Sequence, residues 1–122
     1  MTNQNNFIPA PQSWPNCDIA VYDYINGFVK MLENKLSDTI VGVYLHGSLA
    51  MGSYFPPKSD MDFIIVVADK LNIGLAESVN ISIAKYAETR PTIGCIECSL
   101  ITLNTAQTVP EPTPYELHYS ET

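Results

Sequence analysis

Two aspartates separated by one residue, Asp60 and Asp62, open an apolar run, DMDFIIVV, whose composition is typical of a β-strand. Side chains alternate across a strand, so residues at i and i+2 project to the same face. Two close carboxylates among apolar neighbours are costly to bury unless a cation neutralises them. Hard oxygen ligands with room for phosphate oxygens favour Mg²⁺. The pair therefore predicts a magnesium site with Asp60 and Asp62 as metal ligands.

A glycine and a serine, Gly47 and Ser48, follow the apolar residues 40–45, and eleven residues separate Ser48 from Asp60. Glycine lets the backbone approach a phosphate, and a serine hydroxyl and helix N–H groups donate to it. Lys58, in the loop before Asp60, could contact a triphosphate or could be an exposed loop lysine. The combined pattern is more specific than either half and predicts a nucleotide site that includes Gly47, Ser48 and Lys58.

A third acid, Glu97, lies in the run Ile93 to Leu103, which is predicted to be a strand. It would share a face with Cys95 and Ser99. A lone acid in an apolar strand calls for a functional reason. Histidine can exchange a proton near neutral pH, so His46, next to Gly47, is either a general base or part of the wall of the site.

The stretch YLHGSLAMGSYFPPKSDMDFIIVV resembles the nucleotidyltransferase superfamily, whose pattern is a hydrophobic strand, Gly-Ser, a loop and Asp-hydrophobic-Asp-hydrophobic. Within it, the stretch looks most like the aminoglycoside adenylyltransferases that modify streptomycin and spectinomycin. TIGCIECSLIT and PYELHYSE are also similar to segments of that subfamily. The resemblance runs from about residue 41 to residue 122. It implies the polymerase β-like nucleotidyltransferase fold.

The resemblance also implies a reaction, the transfer of AMP from ATP to a hydroxyl of a small cationic acceptor. Two Mg²⁺ ions would be held by Asp60 and Asp62, and ATP would be the co-substrate. Glu97 matches the third carboxylate of the superfamily, and the three acids would be the catalytic residues. Glu97 would act as the general base, alone or also as a partial metal ligand.

Composition limits the class of partner. The chain has 122 residues and a net charge of −7, from 13 acids and 6 bases. This charge disfavours nucleic-acid binding, which depends on Lys and Arg. It suits a polycationic acceptor, and a solvated acidic surface explains it equally well. The N-terminus lacks the features of a signal peptide, and no apolar run approaches ~20 residues, so a cytoplasmic protein with no membrane partner is expected.

Two other functions fit the same residues. A minimal nucleotidyltransferase could modify a protein or RNA partner, although the acidic charge disfavours RNA. A catalytically silent nucleotide-binding module would need the same acids for binding. The three cysteines include a C-x-x-C pair, Cys95 and Cys98, but a strand would place this pair on opposite faces, which disfavours a zinc or redox site.

Hydrophobic periodicity predicts the elements that position these residues. A helix begins with Asn16 as N-cap, and a second runs from an Asn72 cap to about Glu88. Their predicted inward residues are Val21, Ile25, Phe28, Leu32 and Leu36 on the first, and Leu75, Val79, Ile83 and Tyr86 on the second. With strands at 40–45, 60–67 and 93–103, the expected fold is α/β, with helices packed on a small mixed sheet.

The expected domain organisation is an extended arm over residues 1–15, a catalytic domain over 16–104 and a segment over 105–122. This last segment is expected to be extended and to end in a helical start. Members of the resembling subfamily continue into a helical C-terminal domain at this point. The resemblance therefore predicts that the chain alone is a poor catalyst, and that surface normally covered by that domain favours self-association.

Overall fold

The computed structural model describes residues 14, 16–47, 49, 52, 59–108 and 114–120. Within these residues the helices are α1 (Ile19–Leu36), α2 (Ile73–Ala87) and α3 (Leu103–Thr108), with a short 3₁₀ turn at Ser37–Thr39. The strands are β1 (Ile40–His46), β2 (Met61–Val67), β3 (Ile96–Thr102) and β4 (Leu117–Ser120). No described helix is both long enough and apolar enough to cross a bilayer.

The four strands form one mixed sheet in the order β1-β2-β3-β4. β2 pairs antiparallel with β1 and parallel with β3, and β4 pairs antiparallel with β3. Alternate residues of β2, from Met61 to Val67, join α1 and α2 in one buried core. α1 and α2 therefore cover one face of the sheet, and Asp62, Glu97 and the helix α3 lie on the side of the other face. The expected α/β fold is confirmed.

The hydrophobic stripe of α1 is buried as its spacing predicts, and Phe28 and Leu32 are fully inaccessible. The predicted start was wrong by two residues, because the N-cap is Asp18 rather than Asn16. The backbone of Asp18 is extended, and its carbonyl accepts the first helical hydrogen bond, from Tyr22 N at 2.9 Å. The cap is therefore made by the main chain, which side-chain preferences do not reveal.

The predicted cap of α2 is confirmed, since the Asn72 side chain accepts a hydrogen bond from Leu75 N at 2.8 Å. Val79 and Ile83 are fully buried, and Leu75 and Tyr86 pack against the core. After α2, residues 91–94 form a bend, and β3 starts at Ile96 rather than at the predicted residue 93.

The expectation for the segment after β3 was wrong in its secondary structure. Leu103–Thr108 form a helix, which the Thr102 hydroxyl caps by accepting a hydrogen bond from Thr105 N at 3.2 Å. The expected helical start near the end is instead β4, a four-residue strand paired with β3. So short a strand is stabilised by its neighbour rather than by its own propensity.

Candidate active site

The register of the sheet brings Asp62 and Glu97 together. These residues are direct partners in the parallel β2–β3 ladder, and Asp62 also pairs with His46 on β1. All three line one cavity of about 480 Å³, on the sheet face opposite α1 and α2. Neighbouring strands lie about 5 Å apart, so two residues distant in the sequence become adjacent acids.

The ionised form of Asp62 is disfavoured by burial and by the neighbouring acids. Its pKa is raised above the ordinary value, first by burial and then by the charges of Glu97 and Asp60, while His46 lowers it. A bound cation would relieve this repulsion, and carboxylate oxygens suit a hard cation such as Mg²⁺. No group of three His, Cys, Asp or Glu residues is arranged to hold a metal in the described part of the chain.

Asp60 lies one residue before β2. The strand therefore starts at Met61 rather than at the predicted residue 60. Asp60 Oδ1 accepts a hydrogen bond from Cys95 N at 2.9 Å, and Met61 N donates to Cys95 O at 2.8 Å. These two bonds tie the start of β2 to the residue before β3. Asp60 is thereby held near enough for its charge to raise the pKa of Asp62.

Gly47 lies at the end of β1, beside Asp62. Its φ is +70°, a backbone conformation that side chains disfavour. A Cβ atom at this position would strike the Asp62 carboxylate. Glycine is therefore required here both for the turn and for the space beside the acid. Ser48 and Lys58, the other predicted nucleotide-binding residues, lie outside the described residues.

Glu97 has two neighbours that the sequence did not predict as site residues, His118 and Ser99. His118 Nε2 lies 3.6 Å from Glu97 Oε2, and its Nδ1 lies 2.8 Å from Ser99 Oγ. Tyr115, whose ring centroid is 5.4 Å from that of His118, lines the same cavity. Only the strand assignment of β4 and its register would have placed His118 here.

The two cysteines of the C-x-x-C pair differ in burial. Cys98 lies on β3, and Cys95 lies one residue before this strand. Cys98 is buried and Cys95 is half buried, and neither forms a disulfide. Burial, followed by the charge of Glu97, raises the pKa of Cys98 to about 12. A thiol this hard to ionise is a poor metal ligand, because the thiolate is the binding form.

Residues 25–97, more than half of the chain, match the nucleotidyltransferase domain family. The chain belongs to this family. Gly47, Asp60 and Asp62 lie inside the matched segment, and Glu97 is its last residue. The fold and the cluster of acids thus agree with the family assignment.

The chain is also similar to two named proteins. Over 50 residues the chain is 38% identical to spectinomycin 9-adenylyltransferase of Enterococcus faecalis, a match that covers 41% of this chain and 19% of the relative. It also superposes on a crystal structure of spectinomycin adenyltransferase from Enterococcus faecalis, solved with ATP and spectinomycin. That match has a TM-score of 0.71 and 26% identity, and covers 82% of this chain and 41% of the other. The chain spans less than half the length of both relatives.

Proposed function

We propose that the chain carries the ATP-binding and catalytic residues of a Mg²⁺-dependent adenylyltransferase. The reaction is transfer of AMP from ATP to a hydroxyl of a small cationic acceptor, an aminoglycoside such as streptomycin or spectinomycin. The observation that carries the proposal is the pairing of Asp62 with Glu97 next to the glycine turn at Gly47. The relative solved with ATP and spectinomycin supports the same substrates.

The phosphates of ATP would lie over Gly47, which has no side chain of its own to block their approach, with Ser48 and Lys58 as further phosphate contacts. Asp60 and Asp62 would hold two Mg²⁺ ions. Bound Mg²⁺ would neutralise phosphate charge and make the α-phosphorus a better electrophile. Asp62 is suited to this role because burial, and then the charges of neighbouring acids, raise its pKa and disfavour its ionised form in the absence of a cation.

Glu97 is the general base. Its carboxylate takes the proton from the acceptor hydroxyl, whose oxygen forms the new bond to the α-phosphorus. The bond from the α-phosphorus to the bridging oxygen then breaks, and pyrophosphate leaves. Because Glu97 is the strand partner of Asp62, the base lies beside the proposed metal-binding acids, as an in-line transfer requires. A partial role as metal ligand is compatible with the same position.

A cationic acceptor fits the charge of the protein. The chain carries 13 acids against 6 bases, and the described cavity has two carboxylates in its lining. Such a field attracts amines and repels nucleic acid. Two alternatives compete with this proposal. One is a protein or RNA acceptor, and the other is nucleotide binding without catalysis.

We further propose that a helical domain following the segment 105–122 supplies the second wall of the cleft, while residues 16–104 form the catalytic domain and residues 1–15 an arm. Ligands of this kind usually bind between domains. Holding two reactants in line can contribute about 7–11 kcal/mol to lowering the barrier. We therefore expect the 122-residue chain alone to transfer AMP poorly.

A pyrophosphate-release assay with ATP, Mg²⁺ and either streptomycin or spectinomycin tests the proposal. It compares the chain alone, an extended form that carries the helical domain, and Glu97→Gln in the extended form. The extended form should turn over, and the amide should lower turnover by roughly 10²-fold with ATP affinity nearly intact. No acceptor-dependent release from the extended form would contradict the function. Strong turnover by the chain alone would contradict the need for a second wall.

A further inference from the structure

The imidazole of His118, on β4, contacts the proposed base Glu97. The antiparallel register places His118 opposite Ser99, two residues along β3 from Glu97. Through its two ring nitrogens, His118 contacts Glu97 Oε2 at 3.6 Å and Ser99 Oγ at 2.8 Å. One side chain thus connects the acid to the hydroxyl on the same face of the strand.

The hydrogen-bonding capacities of Glu97 and Ser99 favour one tautomer of the His118 ring. An ionised carboxylate only accepts hydrogen bonds, so a hydrogen is favoured on the Nε2 atom that faces Glu97. In the neutral ring Nδ1 is then the acceptor, and the Ser99 hydroxyl donates to it. The contact with Glu97 is longer than an ordinary hydrogen bond, and such contacts often tighten when substrate binds.

We infer that His118 is a positioning residue for the Glu97 carboxylate, and that Ser99 holds the imidazole in the required tautomer. The inference rests on the proposed function of Glu97 as the base. A donor on Oε2 restricts rotation of the carboxylate and directs its other oxygen to the acceptor hydroxyl. Tyr115, packed against the ring of His118, limits movement of the imidazole.

The solvent exposure of His118 and Glu97 allows a positioning role to be distinguished from a role in folding. The side chains of His118 and Glu97 are 41% and 46% exposed. An ion pair this open to water contributes little to folding. Loss of the imidazole should therefore alter the rate of transfer while the midpoint of thermal unfolding stays nearly the same.

The contact is tested first by ¹⁵N NMR of the histidine rings in the 122-residue chain, at one fixed mildly alkaline pH. His118→Gln and His46→Gln assign the signals. In the wild type, His118 should show the Nε2–H tautomer. Ser99→Ala should shift it towards a mixture, and Glu97→Gln should change both ring nitrogens. Identical His118 signals in all three proteins would overturn the inference, whether or not the protein transfers AMP.

The positioning role is tested by the kinetics of AMP transfer in the extended form. His118→Ala should lower kcat by roughly 10-fold, the scale seen for outer-shell partners of catalytic groups, with KM for ATP unchanged. His118→Gln, which keeps an N–H donor, should recover most of the rate. In the Glu97→Gln background, His118→Ala should cost nothing further. An equal loss in both backgrounds would overturn the inference.

The NMR and kinetic experiments together also distinguish failure of this inference from failure of the proposed function. If the wild-type extended form transfers AMP to neither antibiotic, the proposed function fails, and the NMR result alone decides whether His118 holds Glu97. If the wild type is active and His118→Ala retains full kcat, the function stands and the positioning role is overturned.

Discussion

Gly47 brings the backbone close beside the Asp62 carboxylate. We expect Gly47→Ala to destabilise the protein and to weaken binding of Mg²⁺-ATP. The positive φ costs an L-residue about 1–2 kcal/mol, and the added methyl group must displace Asp62. Chemical denaturation and ATP titration measure the two effects.

Gly52→Ala is the matched control for this change, because Gly52 has a φ of +75° and is not among the described residues that line the cavity. It should show the loss of stability with little loss of nucleotide affinity. If Gly47→Ala binds Mg²⁺-ATP as the wild type does, the close approach to Asp62 has no role in the site.

At the residue scale, the acids could be predicted because their spacing carries information. A strand period of two relates Asp60 to Asp62, and an acid among apolar residues singles out Glu97. The adjacency of Asp62 and Glu97 depends on the parallel register, which sequence patterns do not contain. His118 was missed for the same reason, since it joins the site only through β4. The roles of all the predicted site residues remain predictions, and Ser48 and Lys58 also lie outside the described residues.

At the scale of elements, α1 and α2 are joined by a reciprocal pair of tyrosines. The Tyr24 hydroxyl donates to the Tyr86 carbonyl, and the Tyr86 hydroxyl donates to the Tyr24 carbonyl, both at 2.6 Å. The ring centroids are 4.6 Å apart, and Gly27 leaves room for the Tyr86 hydroxyl. This pair keeps both helices on the face of the sheet that does not carry the acids.

We expect Tyr24→Phe and Tyr86→Phe each to lower the free energy of unfolding by about 1 kcal/mol, the usual net value of a hydrogen bond. Urea denaturation of both single variants and the double variant measures the coupling between them. Tyr44→Phe, at an exposed tyrosine, is the control and should stay within about 0.5 kcal/mol of wild type. Single variants as stable as the control would show that the pair does not hold the helices.

The faces of the helices were predictable and their ends were not. A period of 3.6 residues identifies the buried stripe of α1, because burial repeats with the helix turn. The cap at Asp18 is made by main-chain geometry, and β4 exists through pairing with β3. Both depend on the arrangement of neighbouring chain, which a local pattern does not record.

At the scale of the whole molecule, the face of the sheet that carries the acids is covered by neither α1 nor α2, and α3 borders it. A groove of about 370 Å³ on this face is mainly apolar, with Val41, Tyr44, Ile64, Val66, Ile101 and Leu103 among its lining residues. It shares Ile64 and Ile101 with the cavity that contains the acids. Val41 and Tyr44 are 47% and 54% exposed. The apolar groove therefore continues into the proposed active site.

We expect the 122-residue chain to self-associate through this face, because burying apolar surface is favourable. Sedimentation velocity over a concentration series should show reversible dimers or larger species, and Val41→Lys should shift them towards monomer. Ile73→Lys is the control, since Ile73 is 79% exposed but lies on α2, on the helical side of the sheet. A wild-type chain that is monomeric throughout, or an equal effect of both lysines, would contradict this expectation.

The most direct test of the proposed metal and nucleotide site is calorimetric titration of ATP with and without Mg²⁺, on the wild type and on the double variant Asp60→Asn, Asp62→Asn. The amides keep the shape of the carboxylates. The double variant should remain folded, because burial and neighbouring acids already raise the pKa of Asp62 and so disfavour its charge. We predict that Mg²⁺ strengthens ATP binding to the wild type and that the double variant loses this Mg²⁺-dependent part. Binding with an unchanged Mg²⁺ dependence in the folded double variant would contradict the assignment of Asp60 and Asp62.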